Sequence, residues 1–64
     1  MTQKELLYLE DAIGHEGNII KICEESIKSL EDENLISFLE NELKMHVSME
    51  EKLMAELEVK SNEW

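Results

Sequence analysis

Proline is absent from this chain, glycine appears twice in 64 residues and cysteine once. With no proline, nothing in the sequence forces a break in a helix. The single thiol, Cys23, excludes an intrachain disulfide and suits a reducing compartment. Phosphate-cradling glycine loops, the paired cysteines of zinc modules and a Ser/His/Asp set are also missing, so no familiar catalytic motif is present and no enzyme is expected. Basic residues are scarce: six against sixteen acidic ones give a formal net charge of -10. Such a charge repels nucleic acid and anionic membrane surfaces, and neither is expected as a partner. No apolar run approaches the ~18 residues of a membrane span. The opening MTQKELLYLED has neither the apolar centre nor the cleavage site of a signal peptide, and the expected location is the cytoplasm.

What remains is helical. Hydrophobic residues make up 42% of the chain and charged ones 34%, a balance that suits a folded helical domain better than an acidic tail. Residues 1–64 form a single domain in this reading. A core of that size alone rarely yields more than ~3 to 5 kcal/mol of net stability. Without disulfides, the further stability has to come from oligomerisation or a bound metal.

Thr2, with Glu5 three residues on and Leu6, Leu7 and Leu9 behind it, reads as a capping box that opens helix one, about residues 2–30. Leu6, Leu9, Ile13, Glu16, Ile20, Cys23, Ile27 and Leu30 then recur in steps of three and four. Ala12 and Ile19 lie on one shoulder of this stripe, with Tyr8, His15 and Ile22 beyond, so the apolar face is wider than a two-stranded seam needs. The run Glu31, Asp32, Glu33, Asn34 has no apolar member and suits the positive end of a following helix, with Asp32 as its cap. Helix two, about residues 33–59, carries the stripe Leu35, Leu39, Glu42, His46, Met49, Leu53 and Leu57, flanked by Ile36, Phe38, Leu43, Met45 and Met54. Residues 60–64 are expected to fray unless Trp64 docks on a neighbour.

A turn this short makes the two helices antiparallel neighbours along their length. Two helices cannot enclose a core, whereas two hairpins related by a twofold axis can. The fold class is therefore all-α: an antiparallel hairpin that forms a homodimeric four-helix bundle through an isologous interface.

Three carboxylates and an imidazole interrupt the apolar faces. At ~100° per residue, Glu16 falls at the centre of the first stripe and His46 at the centre of the second, with Glu42 and Glu50 one turn either side of His46. The turn near Asp32 brings Glu16 level with His46 to Glu50. Buried carboxylates must be paired, protonated, hydrated or bound to a cation. In one account Glu16 bonds His46, Glu42 and Glu50 lean to water, and the layer fixes register and dimer symmetry. In the other, Glu16, Glu42, His46 and Glu50 of two copies hold metal ions, as carboxylate and histidine side chains do in other bundles. Gly14 and Gly17 each cost ~1 kcal/mol of helix propensity. They either admit a close neighbour, water or an ion beside Glu16, or merely distort the helix. His15 reads as a surface residue, Cys23 as a small buried hydrophobe, and Met45, Met49 and Met54 as adaptable packing.

The segments LLYLEDAIGHE and FLENELKMHVSMEEKL resemble small ferritin-like proteins of spore-forming Firmicutes, of the spore coat protein F type. The resemblance implies a ferritin-like half-bundle that dimerises and an association with spore coats. Metal-bearing ferritin-like proteins carry a helix-one Glu, matched here by Glu16, and a Glu-x-x-His on helix two. In this chain Leu43 stands three residues before His46, with Glu42 four before and Glu50 four after. The expected function is thus a non-catalytic structural or interaction role without cofactor, in the cytoplasm or a spore coat and within a larger protein assembly. The alternatives are an Fe- or Mn-binding protein and an acidic helical inhibitor of another protein.

Overall fold

The computed structural model describes residues 1–62, in which two helices, α1 (Gln3–Ser29) and α2 (Glu33–Asn62), pack against each other as a hairpin. α1 begins as the sequence requires. Thr2 is its N-cap: the Glu5 N–H donates to the Thr2 hydroxyl at 3.1 Å, and the Thr2 N–H donates to the Glu5 carboxylate at 2.8 Å. Each partner thus satisfies a backbone donor that the first turn would leave unpaired. The Thr2 backbone hydrogen bond, and after it the Thr2 hydroxyl, hold the Glu5 carboxyl below its ordinary range.

α1 stops where Leu30 turns extended, its N–H still donating to the Ser26 carbonyl. Asp32 then caps α2, its Oδ1 accepting from the N–H groups of Asn34 at 2.9 Å and Leu35 at 3.1 Å. No described residue has a positive φ, so the reversal is made entirely from conformations open to any L-residue.

α2 runs to Asn62, beyond the end expected near Val59 and into the tail expected to fray. In the last turns Lys60 lies 3.8 Å from Glu56 one turn back, and the Ser61 hydroxyl donates to the Glu58 carbonyl. Lys60 also places a cation at the negative end of the helix. The expectation for Trp64 lies outside the described residues.

The seam between the helices is formed on α1 by the stripe read from the sequence. On α2 it differs. Ile36, Leu43, Val47 and Glu50 turn inward to partial burial, whereas Leu35 and Met49 of the expected stripe stay exposed. The assembly is long and thin, with extents of 48 × 15 × 11 Å and a radius of gyration of 14.7 Å. A compact domain of this length would have a radius nearer ~11 Å. Accordingly only Cys23, 6% exposed, is buried among the described residues.

Candidate functional site

The polar layer sits where the two sequence stripes place it, at mid-height of the hairpin. Glu16 lies thirteen residues before the end of α1 and His46 thirteen residues after the start of α2, so an antiparallel pair brings them level. His46 Nδ1 lies 2.6 Å from Glu16 Oε2, across thirty residues of sequence. Both side chains are partly withdrawn from water, 28% and 17% exposed respectively. On the other side of the ring, His46 Nε2 lies 3.7 Å from Glu42 Oε2, one helical turn back. The imidazole is therefore held between two carboxylates, and no buried side-chain nitrogen or oxygen among the described residues lacks a partner.

This geometry fixes how the ring can act. With Nδ1–H donated to Glu16, the neutral ring turns its Nε2 lone pair toward Glu42 and the outside of the seam. The protonated ring instead donates on both sides, making charge-assisted contacts to each carboxylate. Glu16 is thus an orienting partner of His46, and the short Nδ1 contact selects the ring's orientation.

Glu50 does not join the imidazole. Its Oε2 lies 3.5 Å from where a Cβ on Gly17 would stand, an ordinary van der Waals separation. Gly14 has nothing within 4 Å of such a Cβ, and no close approach in the hairpin requires its missing side chain. Among the described residues no three or more His, Cys, Asp or Glu side chains are grouped so that one chain alone could hold a metal ion.

The other singled-out residues lie apart from this layer. His15 is well exposed, with Nε2 3.3 Å from Asp11 on the preceding turn. Cys23 packs in the seam as a free thiol. Met45, Met49 and Met54 all remain exposed. One feature escaped the sequence reading: an open groove of about 610 Å³ at the end remote from the turn, lined by Met1, Tyr8, Leu9 and Ala12 with Glu5, Glu56 and Lys60 at its edges. Lys60, falling in step with Leu53 and Leu57, is the sequence signal that the apolar seam ends there.

No helix among the described residues is long and apolar enough to cross a membrane. Comparison with family models, with curated proteins and with solved structures gives no match in any of the three.

Proposed function

We propose that the protein is a non-catalytic structural or interaction module that works as a homodimeric four-helix bundle. The observation that carries this reading is the disproportion between apolar content and burial. Among the described residues one is buried, while Leu7, Tyr8, Ile22, Phe38, Met45 and Val59 are more than half exposed. Exposed apolar area on that scale marks an association surface. Mid-height placement of the Glu16–His46 layer fits the same reading. Whether the twofold axis runs along the helices or across them, the layers of two copies meet at one height. A polar layer that must be matched across an interface penalises slipped registers. The association with a spore coat rests on the resemblance of the two segments quoted above.

Sedimentation tests this. The expected result is a dimer at micromolar concentration that dissociates on dilution. A folded monomer throughout would overturn the reading.

A second reading, an Fe- or Mn-binding bundle, is favoured by one detail. A histidine whose Nδ1 is held by a carboxylate and whose Nε2 faces another carboxylate has the orientation that carboxylate–histidine–metal sites use. In that case His46 and Glu42 of the two copies would be the ligands, and Glu16 would orient the ring. Elemental analysis of protein purified without chelator decides it. Metal near stoichiometric with the dimer, lost in His46→Leu, supports the second reading, and its absence after incubation with Fe(II) or Mn(II) removes it.

A further inference from the structure

Most of the exposed apolar residues lie on one side of the hairpin, with Leu7, Met54 and Val59 elsewhere, and this distribution points to the surface on which a partner sits. At ~100° per residue, Tyr8, Ala12, His15, Ile19 and Ile22 lie about a quarter-turn to one side of the α1 seam. Phe38, Met45 and Met49 lie about a quarter-turn from the α2 seam. Because the helices are antiparallel, these two offsets point to the same side of the molecule. The groove confirms this, since Tyr8 and Ala12 of α1 line it together with Glu56 of α2, which shares the angular row of Phe38 and Met49. On the opposite side the corresponding rows are charged: Glu10, Lys21 and Glu24 on α1, and Glu40, Glu51 and Glu58 on α2. The hairpin therefore has one apolar and one ionic side.

We infer that the apolar side, centred on Ile19, Ile22, Phe38, Met45 and Met49, is the surface on which a second copy of this chain docks, with the ionic side facing solvent. The inference rests on the self-association proposed above and specifies its geometry. Two observations select a second copy as the occupant. The side measures about 48 by 15 Å, a footprint of roughly 700 Å², close to the ~800 Å² per partner of a stable interface. Of the helical acidic residues described, Glu42 and Glu56 fall in its rows while the others lie elsewhere, so two copies of a chain with net charge -10 meet without opposing their acidic sides.

The three methionines of α2 provide a built-in test in the unmodified protein. In the single hairpin Met45, Met49 and Met54 are similarly open, 63%, 47% and 48% exposed, but Met54 lies on the other side of the seam. Oxidation by hydrogen peroxide is followed residue by residue by mass spectrometry, at concentrations above and below the dissociation constant found by sedimentation. Met45 and Met49 are expected to react severalfold more slowly than Met54 in the dimer, and at similar rates after dilution. A dimer in which Met54 is protected instead, or all three react alike, overturns the assignment of the surface while leaving self-association intact. A monomer at every concentration overturns both. Paired substitutions give an independent check: Ile22→Glu with Met45→Glu is expected to abolish the dimer, whereas Leu7→Glu with Met54→Glu is expected to retain it. The reverse pattern overturns the assignment.

Discussion

The half of the hairpin next to the turn and the half next to the chain ends are built on the same helical period but close differently. Toward the turn, Ile20, Cys23 and Ile27 face Ile36, Leu39 and Leu43, and the connection holds the helices together. Cys23, the one buried residue among those described, lies here. Toward the ends, Leu6, Leu9 and Ile13 face Leu53 and Leu57, but the seam finishes at Lys60 and opens into the groove beside Tyr8. Covalent closure keeps apolar contacts at high effective concentration, whereas the open end depends on helix caps and local ion pairs. Between the two halves stands the Glu16–His46 layer. Amide hydrogen exchange should therefore show greater protection in residues 20–43 than in residues 5–12 and 53–60.

The largest expected effect comes from breaking the layer that joins the halves. His46→Leu leaves Glu16 partly buried without its partner and should destabilise the protein by about 1 to 3 kcal/mol. Adding Glu16→Leu should recover most of that loss, because an apolar pair of similar volume needs no matching charge. Chemical denaturation of the two variants checks both. A double variant no more stable than the single one would show that the layer contributes packing rather than paired polarity.

A smaller effect confined to the open half is expected from Thr2→Ala, which removes the hydroxyl cap of α1 and should cost about 1 kcal/mol. Exchange protection should fall near residues 5–12 and hold near Cys23. Gly14→Ala sharpens the contrast from the other direction. The added methyl meets nothing in the hairpin, so helix propensity alone should raise stability by roughly 0.5 to 1 kcal/mol. A loss on this substitution would mean that another chain approaches Gly14.

The smallest effect is a pH dependence at the same end. Glu5 has a folded-state pKa depressed by the Thr2 backbone hydrogen bond foremost. Its contribution is present above the unfolded value and lost as pH falls through the folded one. Thermal melts below the ordinary glutamate range should show a slight acid weakening that Glu5→Gln reduces.

Much of this arrangement was legible in the sequence where a local rule governs it. Thr2 and Glu5 announce the first helix through spacing alone, and Asp32 announces the second. Glu16 and His46 could be paired because a short turn converts residue number into height. The inward row of α2 was harder, since its apolar residues cover two directions. Leu35 and Met49 continue the heptad as well as Ile36 and Val47 do, and only the docking of α1 selects between them. Glu50 is one turn from His46 on the same stripe, and its spacing alone does not say that its carboxylate stands beside Gly17, because a flexible side chain can reach in either direction. The end of α2 carries side-chain bonds of Lys60 and Ser61 that periodicity does not register.

The groove that Met1 and Lys60 share shows that the beginning of α1 and the end of α2 lie side by side, at the opposite pole from the turn. A few added residues could therefore splice one hairpin to the next in a tandem gene. Such a fusion would act as a geometric filter. A brief tether lets the second unit fold onto the first only with both turns at one pole, while the arrangement with turns at opposite poles would demand a span near the full 48 Å of the molecule. Trimming that tether until self-contained pairing fails would reveal which way round nature stacks the two halves.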